Sequence, residues 1–237
     1  MIFRLDDQRI LFPDPDLAEE DGLLAVGGDL RMERLLLGYA NGIFPWYSED
    51  TPILWYAPHE RFVLYPEEIK ISKSMAKVME RGNFKITFNQ SFAQVIHNCA
   101  SIDRKDQDGT WIVDDMQEAY INLHHQGFVH SIEVWQNHQL IGGLYGVCIG
   151  QGCFGESMFS RQTDVSKMAF YTLMLIGQDN QLPWIDCQLV NDHLLSLGAS
   201  TLSRQTYLNS LQDVINAPAL DWKKYQDSVF SSKTIAQ

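Results

Sequence analysis

The sequence predicts an α+β protein in two unequal parts, a small domain over residues 1–60 and a larger one over residues 61–237. Three observations lead there. A chain of 237 residues that is 45% apolar and 20% charged holds enough material for a sizeable core. Its first sixty residues are dense in turn formers. Beyond them, amphipathic helices and alternating strands follow one another in an order that reads as an α+β sandwich rather than a wound βαβ sheet.

In the first part, Phe12-Pro13-Asp14-Pro15-Asp16 and Gly27-Gly28-Asp29 are turn signals. Between Gly28 and Gly42, residues 31–40 carry Leu35, Leu36, Leu37 and Tyr39 and predict a short helix. Ile43-Phe44-Pro45-Trp46-Tyr47 and Leu54-Trp55-Tyr56-Ala57-Pro58 place prolines and tryptophans close together and predict an irregular, well-packed segment.

In the second part, residues 72–81 form a helix with Ser72 as N-cap and Gly82 as its stop; Ile71, Met75, Val78 and Met79 make the apolar stripe. Residues 112–125 form the next helix, ended by Gly127. Residues 130–135 alternate as a strand, Gln136-Asn137-His138 turns it, and residues 140–149 return. Residues 153–159 are a third strand. Thr163 or Asp164 caps a helix to about Ile176, residues 182–189 are a strand, Asn191 caps a short helix that stops at Gly198, and residues 202–211 close the body. The tail beyond Phe230 is expected to be loose. This order resembles the GCN5-related acyltransferase architecture, a likeness of fold alone.

Composition narrows the function classes. The net charge is −12, which taken whole argues against a nucleic-acid partner. It is unevenly spread: residues 1–60 carry −8, residues 61–105 carry +4 and residues 106–237 carry −8. Within the basic island Lys73, Lys77 and Arg81 recur every four residues on one helical face, with Lys70 just before them. No run of about 18 apolar residues exists, so no membrane partner is indicated, and the acidic opening MIFRLDDQRILFPDPD does not read as a signal peptide. Cys99, Cys148, Cys153 and Cys187 lack metal-site spacing and fit reduced thiols of a cytoplasmic protein. His124, His125 and His130 have no matching ligands nearby, so no metal is expected.

Some patterns suggest chemistry. Gly150, Gly152 and Gly155 match a dinucleotide fingerprint, but no helix opens behind them, so they are expected to serve a tight turn and close backbone approach. Asp186 and Gln188 share a face if residues 182–189 are a strand; they are either a satisfied buried network or a carboxylate–amide pair suited to handling an amine. Glu156 stands between a glycine and an apolar run. Trp46 and Trp111 each lie beside turn formers, either as core or as two indoles that clamp a base.

Gly42-Ile43-Phe44-Pro45-Trp46-Tyr47-Ser48, Gly109-Thr110-Trp111-Ile112, His130-Ser131-Ile132-Glu133-Val134-Trp135, Gly155-Glu156-Ser157-Met158-Phe159-Ser160-Arg161 and Ile185-Asp186-Cys187-Gln188 occur together in this order. With Gly22-Leu23-Leu24-Ala25-Val26-Gly27-Gly28-Asp29-Leu30, the combination resembles the bacterial leucyl/phenylalanyl-tRNA–protein transferases from about Phe12 to Tyr207. The resemblance implies an enzyme that moves Leu or Phe, and less readily Met, from aminoacyl-tRNA to the α-amine of proteins beginning with Arg or Lys, marking them for N-end-rule degradation. It implies a small N-terminal domain, an acyltransferase-like C-terminal domain and no metal or organic cofactor; a monomer is expected.

By the same resemblance, Asp186 and Gln188 would be the catalytic pair, with Glu156 beside them. Trp46 and Trp111 would hold the terminal adenosine, and Tyr39, Tyr120 and Asn191 would line the site. Leu144, Phe154, Met158, Leu173 and Ile185 would form the pocket for the donor side chain, and Lys70, Lys73, Lys77 and Arg81 would meet the tRNA backbone. Leu144 and Leu173 stand where the family pattern has Met and Phe, and Cys153-Phe154 stands for Phe-Cys. A non-enzymatic RNA-binding module and a coenzyme A acetyltransferase are the alternatives from other classes.

Overall fold

Two sheets organise the chain. The computed structural model describes residues 2–69, 71–81, 83–102, 110–226 and 230–231, so Lys70, Gly82 and Gly109 lie outside the described residues, as does the tail beyond Ser231. The smaller sheet comprises β1 (Phe3–Leu5), β2 (Leu23–Gly27), β3 (Phe44–Pro45) and β4 (Leu54–Tyr56), in the order β1-β2-β4-β3, with α1 (Met32–Ala40) between β2 and β3. The segment expected to be irregular is therefore two paired strands. Pro45 is tolerated because β3 is an edge strand. Trp55 is fully buried in this sheet, and its indole N–H donates to Gly27 O at 2.9 Å.

The larger sheet has the strands β5 (Glu60–Leu64), β6 (Lys85–Phe88), β7 (Val129–Gln136), β8 (Gln139–Ile149), β9 (Gly152–Ser160), β10 (Ile185–Asp186), β11 (Ser200–Ser203) and β12 (Phe230–Ser231). Their order is β11-β5-β10-β9-β8-β7-β6-β12, antiparallel throughout except for the parallel β9–β10 pair. The helices are α2 (Lys73–Arg81), α3 (Phe92–Ser101), α4 (Asp114–His125), α5 (Val165–Asp179), α6 (Asp192–Ser196), α7 (Arg204–Asn216) and α8 (Lys223–Gln226).

Alternation along β8 sorts the core into two layers. Tyr145 and Val147 face a cluster with Phe92, Val95, Met116, Tyr120 and Leu211, from α3, α4 and α7. Leu144 faces the opposite cluster with Met75, Met79, Met168 and Met174, from α2 and α5, and Ile141 joins it because a register shift against β7 leaves Ile141 as an extra residue and flips the alternation there. The β7–β8 hairpin turns on Asn137 and His138, both with positive φ (51° and 63°), the conformation that fits strand twist. Gly150 turns β8 into β9 at φ 58°, and a Cβ there would stand 2.5 Å from Ile215 O, so Gly150 serves the turn and close approach expected of it, whereas a Cβ on Gly155 would meet Asp186 O only at an ordinary 3.5 Å.

A register shift in the β8–β9 ladder prepares the site. Tyr145 pairs with Ser157 and Gly146 with Gly155, which leaves Glu156 as the extra residue of a β-bulge. The bulge reverses the alternation of β9. Cys153 and Met158, five residues apart, both belong to the α5 side, whereas Phe154 and Phe159 belong to the other. Two glycines opposite each other permit this crossing, because a Cβ on Gly146 would lie 2.4 Å from Phe154 O.

The structure departs from expectation in the strand over 182–189. Only Ile185 and Asp186 form it, since Cys187 donates its N–H to Phe62 O and Gln188 then takes φ 64°, which ends the ladder. Asp164 precedes α5 at φ 69° without a side-chain cap bond and pairs with Lys167 at 2.7 Å instead. Strands β5, β6 and β11 and helix α3 have no counterpart among the sequence expectations. Ser72 and Asn191 do cap α2 and α6, accepting from Met75 N–H (3.2 Å) and Leu194 N–H (3.0 Å). Among the described residues no helix is long and apolar enough to cross a membrane, and no group of three metal-ligating side chains converges.

Replacing Gly146 by Ala should therefore force the bulge open. Thermal unfolding should show a loss of about 1–3 kcal/mol, the usual cost of overpacking against backbone, whereas Gly127→Ala, whose Cβ would meet nothing within 4 Å, should cost only the strain of its positive φ.

Candidate active site

An apolar cleft of about 410 Å³ opens between the two sheets. One wall is the end of β3 and the residue after it, Phe44, Pro45 and Trp46, with Trp111. A second wall is apolar: Leu64 from β5, Leu144 from β8, Met158 from β9, Phe170 and Leu173 from α5, and Ile185 from β10. The third is the turn from Cys187 to Asn191, together with Gly155 and Glu156 on the bulge. Trp46 is 38% exposed at the mouth and packs edge-on to Tyr56 with ring centroids 5.6 Å apart.

Glu156 is the only carboxylate among the residues lining the cleft. The bulge aims it at three donors. Tyr39 on α1 donates to Oε1 at 2.8 Å, Tyr120 on α4 to Oε2 at 3.3 Å, and Gln188 donates through Nε2 to Oε1 at 2.8 Å. The two tyrosine hydroxyls are also in contact with each other, and with one proton apiece they cannot donate to Glu156 together and to each other at once. Burial pushes the Glu156 carboxyl up to about 7, and nearby Asp186 adds to the rise while the three donors oppose it. Burial and the Glu156 charge push both tyrosines well above their ordinary value, so they stay donors. An acceptor-only carboxylate also fixes the Gln188 amide: Nε2 faces Glu156 and Oε1 is left to accept from a ligand.

Asp186 lies behind this wall rather than in it. It is fully buried, and its oxygens are taken by Arg61 Nε (2.9 Å), Arg61 Nη2 (2.7 Å), the Tyr207 hydroxyl (2.6 Å) and the Gln188 N–H (2.7 Å). The expectation that Asp186 and Gln188 share a strand face is thereby corrected. The two are coupled through the Gln188 backbone, and only Gln188 reaches the cleft.

The cleft brings together Trp46, Trp111, Leu144, Met158, Leu173, Ile185, Glu156, Gln188 and Asn191. Phe154 does not line this cleft: the reversed alternation buries it behind the bulge, 5.1 Å from the Tyr39 ring, and it borders a small neighbouring cavity with Leu144, Leu173 and Ile185. Tyr39 and Tyr120 are likewise buried and support Glu156 from beneath. Lys73 and Lys77 are exposed on α2, whose Met75 and Met79 join the core cluster that also holds Leu64 and Phe170. Lys70 and the side chain of Arg81 lie outside what the structure describes.

Sequence reasoning missed Arg61 and Tyr207. Arg61 is fully buried, its guanidinium 4.8 Å from the centroids of both the Phe44 and Tyr207 rings. An arginine opening the apolar run Phe62-Val63-Leu64 was its one signal.

A family model described as leucyl/phenylalanyl-tRNA protein transferase matches residues 63–212, and one for the N-terminal domain of the same family matches residues 28–59. A protein of Syntrophobacter fumaroxidans named leucyl/phenylalanyl-tRNA–protein transferase is 50% identical over 214 residues, covering 90% of this chain and 91% of the relative. One from an Anaeromyxobacter species with the same name is 50% identical over 221 residues, 92% and 93% of the two chains. Among solved structures, that of L-PGS from Bacillus licheniformis aligns over 87% of this chain and 66% of that one at 11% identity and TM-score 0.39, too low to assign a common fold. Two domain profiles and half-identical relatives spanning nine-tenths of the sequence agree, and the chain belongs to the leucyl/phenylalanyl-tRNA–protein transferase family.

Proposed function

We propose that the chain transfers Leu or Phe, and less readily Met, from aminoacyl-tRNA to the α-amine of proteins that begin with Arg or Lys. The observation that carries this reading, besides family membership, is the Glu156–Gln188 pair set where an apolar pocket meets two indoles. The reaction is aminolysis of an ester: a C–N bond forms between the acceptor amine and the aminoacyl carbonyl, and the ribose oxygen of the terminal adenosine leaves with a proton. The ester is already activated, so positioning supplies most of the acceleration.

Trp46 and Trp111 stack the terminal adenosine, and Leu144, Met158, Leu173 and Ile185 take the donor side chain. Gln188 Oε1 accepts from the attacking amine. Ionised Glu156 holds that amide in the productive orientation and counters the positive charge that develops on nitrogen. Asn191 orients the turn as the cap of α6. Lys73 and Lys77 meet the acceptor-stem phosphates. For residues 61–237 we adopt the GCN5-related likeness, supported by a mixed sheet with the parallel β9–β10 pair joined through α5. The reaction fits a cytoplasmic protein.

Phe-tRNA and an Arg-starting peptide should give the Phe-extended peptide in a single-turnover assay, while a Glu-starting peptide should stay unmodified. Failure with the Arg peptide, or equal transfer to both, would reject the reading.

The Glu156 carboxyl near 7 and the acceptor α-amine near its ordinary value of about 8 must both lose protons before attack. Below pH 7 the logarithm of kcat/KM should rise with a slope approaching two, and with a slope of one in Glu156→Gln. The same change should stabilise the fold. Unfolded Glu ionises near 4.5 and folded Glu156 near 7, so the folded state holds more protons between them and loses stability as pH rises through that window. At pH 8 Glu156→Gln should gain about 1–3 kcal/mol in thermal unfolding, and at pH 4 almost nothing.

Reversing Lys73 and Lys77 to Glu should weaken tRNA binding and reduce the slope of log K against log salt by about two. A slope unchanged between low and physiological salt would leave them a solvated face.

A further inference from the structure

Gln188 adopts φ 64°, a backbone conformation that side chains other than glycine rarely take. Something must hold it there. Three contacts do: its N–H donates to Asp186 Oδ1 at 2.7 Å, its carbonyl accepts from Phe62 N–H at 3.3 Å, and Leu189 N–H closes the turn onto Cys187 O at 2.8 Å. The first is only as rigid as Asp186 itself. Arg61 grips that carboxylate through Nε and Nη2, and the Tyr207 hydroxyl donates to its Oδ2. None of these groups lines the cleft.

The remaining Arg61 donor points elsewhere. Nη1 donates to Gly42 O at 3.0 Å, two residues before β3, while the Phe44 and Tyr207 rings cover the guanidinium. Gly42 itself sits at φ 71°, and a Cβ there would stand 3.0 Å from the Tyr207 ring. One cation thus ties together the chain leading into Trp46, the Asp186 strand and α7. Lysine cannot do the same, since a single ammonium lacks the planar fork that reaches both acceptors.

We propose, building on the transfer reaction above, that Arg61 and Tyr207 are positioning residues. Tyr207 acts through Asp186 on Gln188, and Arg61 sets both Gln188 and the Trp46 wall. Asp186 serves by geometry and never meets the substrate.

The test is a double-mutant cycle, read by single-turnover Phe transfer to an Arg-starting peptide on folded enzyme of matched active fraction. Tyr207→Phe removes one hydroxyl. It should lower the rate about tenfold and leave the KM for Phe-tRNA within about twofold. In a Gln188→Ala background the same substitution should change the rate by less than about twofold, because the group it positions is gone. Arg61→Lys should lower the rate and also raise KM, since it releases both walls. If Arg61→Lys fails to fold, the Tyr207 and Gln188 cycle decides alone. A full tenfold loss from Tyr207→Phe in the Gln188→Ala background, or a change in stability with no change in rate, overturns the proposal. Wild-type enzyme that transfers nothing overturns the underlying reading and the proposal with it, so the two failures are distinguishable.

Discussion

Burying Arg61 against Asp186 imposes the constraint on which the rest of the site depends. Neither side chain touches water, and a lone charge at that depth would be far costlier than the pair. The guanidinium therefore has to find Asp186, Gly42 O and two aromatic faces at once. That fixes the relation of β5 to β10, α7 and the lead into β3, whose partner residues stand 19 to 146 residues from Arg61 along the chain. Breaking such a pair by removing one partner typically costs about 3–5 kcal/mol, a large share of a domain's net stability of about 5–15 kcal/mol. The cleft is thus held open by the same contact that closes the core beneath it.

The charge balance of this core explains why Glu156 is poised near neutrality. Asp186 is already compensated by Arg61, so Glu156 has no cation of its own and relies on Tyr39, Tyr120 and Gln188. Hydrogen bonds hold an anion less firmly than a paired charge does. Burial therefore wins by a small margin and leaves the carboxyl near 7. A second cation would have made Glu156 permanently ionised and more stable, but it would also have repelled the ammonium of an incoming acceptor. The uncompensated carboxylate is a local instability that the surrounding tyrosines tolerate.

Much of this site was legible in the sequence, and what was not has physical reasons. Trp46, Trp111, Glu156 and Gln188 stand in short runs whose chemistry is unusual for their neighbours. The long helices and the β7–β8 hairpin announce themselves by period. Arg61 and Tyr207 do not, because a contact between residues 125 apart (Arg61 with Asp186) leaves no periodic mark. The bulge is hidden for a related reason. Cys153 to Phe159 reads as one ordinary strand, and only the facing pair Gly146 and Gly155 betrays that the alternation reverses within it. The strand β10 was overextended because apolar residues on both sides of Asp186 mimic a run that the left-handed Gln188 in fact terminates.

Net charge also changes meaning once charges have places. Lys73 and Lys77 stand one helical turn apart on the exposed face of α2, opposite buried Met75 and Met79. α2 also carries one exposed acid, Glu80; on α4, Asp114 and Asp115 occupy the first turn, where the helix dipole favours them, and burial, with Asp115 adding to it, lifts the Tyr47 phenol to about 12. At physiological salt a charge is felt over about 8 Å, less than the width of a single helix with its side chains, about 10–12 Å. A charged group near α2 therefore feels the side chains of that helix and not the −12 of the whole chain. The transfer chemistry needs this separation. It must attract a polyanion as donor and a basic N-terminus as acceptor, and only a surface divided on the scale of the screening length can favour both in one molecule.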